Sequence, residues 1–396
     1  MTTRKGVTTK RGVKKLLAAG LAAVTFGLAA SAMAAEKPKD PDVFRIGAIL
    51  AMSGKANYYG TVMSQGIRQA VDEINAKGGI DGIKLECYIE DHQSGIAKAG
   101  VDAMNRLIDL HHVQAVLTSF SPPTLAIAPI ADQKKIFLLN GGGVSQALVG
   151  ASKYLFHNRS LASDLGRAAL AYAHAQGWKK MAELAWNTDA GDSVVKAVEP
   201  YWKSVGGSVT ASEKMDVGAS NIDTQIAKIR VSNPDFVALW LFSPDPGLAM
   251  KRIRELGMKQ PVIGIEYTAD IQKIGGKYMN GYRFFSDYFT PSKDNPWSER
   301  FAEGYKKRYG KDPEFYAANY YEGVYVIAEL IKRARAEGGD YWHGDKLAAV
   351  LRANPAVDSV YGGKMVFQKN GVAQKRVAMF EVVNGQKKFI DYVSAK

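Results

Sequence analysis

The 396-residue chain is 46% hydrophobic and 23% charged, with a formal net charge of +13. That composition suits about two globular domains and excludes a disordered or fibrous chain. The positive charge is concentrated at the start, and no later stretch clusters Lys and Arg with interleaved aromatics, which excludes nucleic acid as a partner.

Arg4, Lys5, Lys10, Arg11, Lys14 and Lys15 precede an apolar run, Leu16–Ala30, and then Ser31-Ala32-Met33-Ala34-Ala35. A basic start, a short apolar stretch and an A-x-A site predict a secretory signal peptide over 1–34, cut near Ala34-Ala35, and a periplasmic mature protein. The run falls short of the ~20 apolar residues of a permanent membrane span. No cysteine lies near the cut, so no lipid anchor is expected, and no Arg-Arg pair precedes the run, which points to general secretion. Cleavage takes six basic residues and no acid from the +13, leaving +7. Cys87 is the single cysteine, so an internal disulfide is excluded and stability must come from a sizeable core. The alternation around Cys87 predicts a small buried side chain in a strand.

After a polar lead-in, Val43–Ala51 is an apolar run of the length and composition of a strand buried on both faces. Met52–Gly60 reads as a turn. Helix Thr61–Lys77 follows, with Met63, Ile67, Ala70, Val71 and Ile74 on one face and Gly78-Gly79 as its stop. Strand Ile83–Glu90, helix Ile96–Leu110 and strand Val113–Thr118 come next. Pro122 and Pro123 then open a helix carrying Leu125, Ile127, Ala128, Ile130 and Ala131. Strand Ile136–Leu139 ends at Asn140-Gly141-Gly142-Gly143. This β-α alternation forces parallel strands with right-handed crossovers.

Tyr154–Asn158 is a short strand and a crossing into a second lobe, where the theme restarts. Helices are predicted over Asp164–Gln176, Ser193–Val205, Asn221–Ser232 and Pro246–Gly257, and strands over Met181–Trp186, Ser208–Lys214, Phe236–Leu241 and Pro261–Ile265. Tyr282–Ser286 is expected to lead back to the first lobe. Helices Pro296–Tyr309 and Phe315–Arg335 follow, then strand-like Lys364–Phe367, Arg376–Val383 and Lys387–Tyr392. The fold class is α/β: two Rossmann-like three-layer lobes with parallel sheets, joined by hinge crossovers. The expected division is 42–160 plus 288–367 for the first lobe and 161–287 plus 368–396 for the second.

Two loops, Ser119–Pro123 and Asn140–Ser145, leave the same edge of the first sheet, where open α/β sheets bind small ligands. Each is expected to offer free backbone N–H groups, and Ser121 adds a hydroxyl. Catalysis finds no support. The six histidines hold no metal-ligand spacing, and G-x-S-x-G, H-E-x-x-H and G-x-x-x-x-G-K-[ST] are all missing. A dinucleotide fingerprint built on Gly141-Gly142-Gly143 fails at Gln146. No enzyme activity, cofactor or metal is expected.

Ala51-Met52-Ser53-Gly54 with Tyr59-Gly60, and above all Ala70-Val71-Asp72-Glu73-Ile74-Asn75-Ala76-Lys77-Gly78-Gly79-Ile80, resemble the branched-chain amino-acid (Leu/Ile/Val) binding family. Its members are periplasmic solute-binding proteins of ABC importers. Leu256-Gly257 and Gly264-Ile265-Glu266 extend the resemblance over essentially the whole mature chain. It implies a type I periplasmic binding protein: a monomer that captures a small molecule between its lobes and delivers it to an inner-membrane ABC permease. It also implies that Ser121 and the main chain at Gly142 and Val144 hold a ligand carboxylate, and that Glu266 pairs with a ligand ammonium. Tyr59 and Phe242 would supply aromatic walls, with Phe315 or Tyr316 adding to them. Read without the resemblance, Ser121 is equally a helix N-cap and Glu266 a loop carboxylate.

The chain departs from the family at Val144, where a threonine is usual, at Ala190, where a tyrosine is usual, and in lacking the first-lobe disulfide. The first two losses leave fewer side-chain donors and a wider pocket. An aromatic amino acid or aromatic carboxylate is therefore an alternative to an aliphatic amino acid. A periplasmic sensor module for a receptor is a second alternative; a secreted hydrolase has the least support.

Overall fold

The computed structural model describes residues 36–393, so the expected leader lies outside the described residues. The chain begins β1 (Phe44–Leu50), α1 (Asn57–Ala76), β2 (Leu85–Asp91), α2 (Ala97–Asp109), β3 (Ala115–Thr118), α3 (Ser121–Lys134), β4 (Phe137–Asn140) and β5 (Leu155–His157). These strands form one parallel sheet in the order β2-β1-β3-β4-β5. Since β1, β3 and β4 are buried almost throughout, their sequences are mostly Ile, Leu, Val, Ala and Phe, with Arg45 the one half-buried position of β1.

A second series follows: α4 (Ala162–Ala175), β6 (Lys180–Trp186), α5 (Asp189–Ser204), β7 (Ser208–Met215), α6 (Asp223–Val231), β8 (Phe236–Trp240), α7 (Asp245–Glu255), β9 (Val262–Gly264), α8 (Ala269–Gly275) and β10 (Arg283–Asp287). The chain closes with α9 (Pro296–Tyr309), α10 (Phe315–Ala336), α11 (Gly344–Ala353), β11 (Ala356–Asp358), β12 (Lys364–Val366), β13 (Val377–Val383) and β14 (Gln386–Val393). The second sheet runs β14-β13-β10-β9-β8-β6-β7.

That second sheet is mixed, not parallel throughout, because β13 and β14 are antiparallel additions beyond β10. Residues Tyr282–Ser286 do not themselves return to the first lobe: β10 pairs with β9 and β13, and the return comes after Asp287. At the last passage Val372 still pairs with His157 beside the first sheet, and the chain enters the second sheet only with β13. Helix α1 begins at Asn57, inside the stretch that reads as a turn, which places Tyr59 on its first turn. No side chain of its own caps that start; the Ala56 N–H is taken by Ser94 Oγ at 2.9 Å, a partner remote in sequence.

Packing of α10 on α1 fixes the face of the first lobe that meets the cleft. Gly66 makes that approach close, since a Cβ there would stand 2.2 Å from the Ala317 carbonyl oxygen. Nearly all of α10 is buried, including Tyr316, Tyr320 and Tyr321, so its aromatic richness is mostly core. Cys87 is half-buried in β2, and burial pushes its thiol up to about 12. Among the described residues no helix is long and apolar enough to cross a membrane.

Candidate functional site

The loops after β3 and β4 fold against each other through side chains. Ser121 opens α3, and its Oγ accepts the N–H groups of Val144 (3.2 Å) and Ser145 (3.0 Å). Asn140 Oδ1 accepts those of Gly143 (2.6 Å) and Gly142 (3.2 Å), while its Nδ2 donates to the Gly143 carbonyl at 2.7 Å. The N–H groups of Gly142, Gly143, Val144 and Ser145 are thus engaged and not free, contrary to the expectation from sequence for that loop. What Ser121 retains is its own O–H, still available to donate.

Between the sheets lies a cavity with about 560 Å³ of space unoccupied by protein atoms, part of it continuous with solvent. Its first-lobe wall includes Tyr59, Phe120, Ser121, Gly142, Val144 and Tyr316. The second lobe contributes Trp186, Thr188, Ala190, Val217 and Phe242. Both departures from the family pattern, Val144 and Ala190, therefore face this space. Phe120 reaches the wall from a backbone held at φ 60°, a left-handed conformation that costs a bulky residue free energy and tends to mark functional sites. Trp186 packs on Phe242 at 5.1 Å between ring centroids and donates its indole N–H to Asp245 Oδ2 at 2.7 Å, which fixes the ring.

Glu266 is near this space but not on its wall. It is 1% exposed and stands behind the rings of Tyr59 and Tyr316. Oε2 accepts the Tyr59 hydroxyl (2.6 Å) and the Ser243 N–H (2.6 Å), and Oε1 accepts the Tyr316 hydroxyl (2.5 Å). Burial pushes its carboxyl above the usual range, while the two hydroxyls, the Ser243 N–H and Arg159 pull it back down. Burial, reinforced by the charge on Glu266, also holds both phenols well above their ordinary value, so they act as donors.

Arg159, at the first crossing, was invisible in the sequence. Only 1% exposed, it donates from Nη1 to the Gly142 carbonyl (2.9 Å) and to the Tyr316 hydroxyl (3.4 Å), and from Nε to the Ser160 carbonyl (3.0 Å). Burial works against its charge, but Tyr316, Asp287 and Glu266 more than offset this and keep its pKa above the usual arginine value. A guanidinium thus sits directly under the loop that lines the cavity. At the rim the lobes also touch directly: Lys55 Nζ donates to the Gly218 carbonyl (2.9 Å), and the Gln146 N–H to Ser193 Oγ (2.6 Å).

The sequence profile described as periplasmic binding protein matches residues 43–387. The chain belongs to that family. It is a binding protein of a periplasmic family and not an enzyme. Among its relatives is the Leu/Ile/Val-binding protein homolog 7 of Brucella abortus (strain 2308), 24% identical over 369 residues, covering 87% of this chain and 86% of that protein. Another is the Leu/Ile/Val/Thr-binding protein of Salmonella typhimurium, 26% identical over 246 residues, covering 61% and 67%. The fold is shared with the leucine binding protein LivK of Thermotoga maritima (TM-score 0.81, 24% identity, 89% and 99% covered). It is shared equally with an R. palustris ABC-transporter solute binding protein solved with benzoate (TM-score 0.80, 17% identity, 89% and 96% covered). Among the described residues no cluster of His, Cys, Asp and Glu fits a metal ion.

Proposed function

We propose that this binding protein captures a small amino acid or related carboxylate in the cavity between its lobes and delivers it, as a monomer, to an inner-membrane ABC permease. The observation that carries the reading is the placement of Ser121, Gly142 and Val144 opposite Phe242 and Trp186 across one cavity. A ligand carboxylate at the Ser121 hydroxyl gains a donor, and the buried Arg159 beneath Gly142 makes that end of the cavity favourable to an anion. Tyr59, Phe120, Tyr316, Trp186 and Phe242 give the rest of the ligand apolar faces, which suits a hydrophobic body. Relatives named for leucine, isoleucine and valine, and a structural neighbour solved with benzoate, support the same chemical range.

Closure is a hinge motion at the crossings near residues 158–161, 287–291 and 374–376, and the ligand biases it by contacting both lobes. Export by the 1–34 leader belongs to the same proposal. The test is to release and identify any solute retained through purification from the periplasm, then titrate amino acids and aromatic acids by calorimetry. Saturable binding of a carboxylate-bearing solute that Ser121→Ala weakens is the expected result. Failure of both classes to bind at any tested concentration refutes the ligand reading.

A further inference from the structure

An α-amino acid carries an ammonium as well as a carboxylate, and an ammonium taken out of water needs acceptors open to it. No Asp or Glu lines the cavity. Of the carboxylates behind its aromatic wall, Glu266 already receives hydrogen bonds from Tyr59, Tyr316 and Ser243, and Asp245 receives the Trp186 indole N–H and the Gly218 N–H on one oxygen. With two donors on Oε2, that oxygen is filled. An ammonium approaching Glu266 from the cavity meets the Tyr59 and Tyr316 hydroxyls that already donate to it, and both of those rings are part of the wall. It must also approach Arg159, whose guanidinium is 3.4 Å from the Tyr316 hydroxyl, so a second cation would be placed beside a buried first one.

From this geometry we infer that Tyr59 and Tyr316 cap Glu266 and make the site select carboxylates that lack an α-ammonium, with an apolar or aromatic body, over amino acids. This rests on the cavity being a carboxylate site. The buried charges are already engaged with one another: Glu266 and Arg159 are joined through the Tyr316 hydroxyl, and the buried Asp287 also acts on Arg159. A ligand with only a negative end adds its charge on the Gly142 side, near Arg159. A zwitterion adds a positive charge to a cavity lined by no carboxylate, with Glu266 covered by the Tyr59 and Tyr316 hydroxyls. The donors come from α1 and α10, and Glu266 from the loop after β9, so the cap forms as the lobes come together.

The test uses ligand pairs that differ only in the ammonium: 3-phenylpropanoate against L-phenylalanine, and 4-methylpentanoate against L-leucine, titrated calorimetrically at pH 7. In each pair that binds, the acid without the ammonium is expected to bind tighter by at least about tenfold, as for a site that leaves a buried charge unpaired. Tyr316→Phe and Tyr59→Phe uncap one oxygen of Glu266 and are expected to shift that ratio towards the amino acid. A merely structural loss lowers both members alike. Glu266→Gln is expected to change both members of a pair by the same factor. If the amino acid of either pair binds as tightly as its partner, or Glu266→Gln weakens amino acids selectively, the inference is overturned while the carboxylate site stands. If no carboxylate of any kind binds, both fall. Should the tyrosine variants fail to fold, the comparison on the unaltered protein decides alone.

Discussion

Lys375→Met should destabilise the protein by about 3 kcal/mol, at the lower end of what removing one partner of a buried ion pair costs. Lys375 and Glu322 side chains are 8% and 0% exposed, with Nζ 3.3 Å from Oε2. Nζ also donates to Asn319 Oδ1 at 2.9 Å and lies 3.9 Å from the centre of the Tyr361 ring. Methionine keeps most of the stem but strands the Glu322 carboxylate inside α10. The Ser359 hydroxyl (2.5 Å) and Val360 N–H (3.1 Å) still hold Oε1, so the cost falls short of that of an unsolvated charge. At about 2 cal/mol/K of unfolding entropy per residue, 3 kcal/mol lowers Tm by about 4 °C in a chain of this size. Denaturant and thermal unfolding give both numbers. Adding Glu322→Gln to Lys375→Met should recover all but about 1 kcal/mol, because it removes the stranded charge. A loss below about 1 kcal/mol in the single variant, or no recovery in the double, refutes the account.

Ser121→Ala removes the acceptor of two buried N–H groups, those of Val144 and Ser145, and should cost about 1–3 kcal/mol in unfolding free energy besides weakening the ligand. An unchanged unfolding midpoint would mean that water replaces the hydroxyl. Gly60→Ala places a Cβ 2.0 Å from the Ala51 carbonyl oxygen, and backbone cannot swing aside as a side chain does. A loss of about 3 kcal/mol or a failure to fold is expected, and wild-type stability would refute it. Burial lowers His92 and His157 from 6.5 to about 4. Below 6.5 the unfolded chain takes up protons that the folded one refuses until about 4, so stability falls as pH drops through that window and is flat above it. The full span is worth about 3 kcal/mol for each histidine. His157→Asn should show a shallower fall than wild type in unfolding free energy between pH 6.5 and 4.5, and parallel curves count against the assignment.

Much of this was written in local pattern. The runs at β1, β3, β4 and β8 are mostly apolar because those strands are buried on both faces, and the face Met63, Ile67, Ala70, Ile74 is the one α1 turns to the core. The 70–80 stretch resembles its family because it carries the end of α1 and the turn after it, so it reports the fold and says little of the ligand. Other features depend on partners far away in sequence. Helix α1 starts early because Ser94 caps it from outside. The apolar run at β10 showed a strand but not its neighbours, which β9 and β13 supply. Asn140 looked like one more turn residue, yet its side chain takes the N–H groups that seemed free. Arg159 stands alone in sequence; its meaning comes from Gly142 and Tyr316, which only the fold brings to it. Glu266 read by itself as a loop carboxylate; its burial and its tyrosine partners come from α1 and α10, which only the fold brings to it.

The rim bonds from Lys55 to Gly218 and from Gln146 to Ser193 have a consequence for every affinity measured on this protein. Each contributes to the standing population of the shut form, and an observed dissociation constant is the intrinsic one divided by the shut fraction. Lys55→Ala or Ser193→Ala should therefore weaken all ligands by one common factor, although neither side chain lines the cavity. Ligand preference and overall tightness are then set in different places, the first by the cavity wall and the second by its edge.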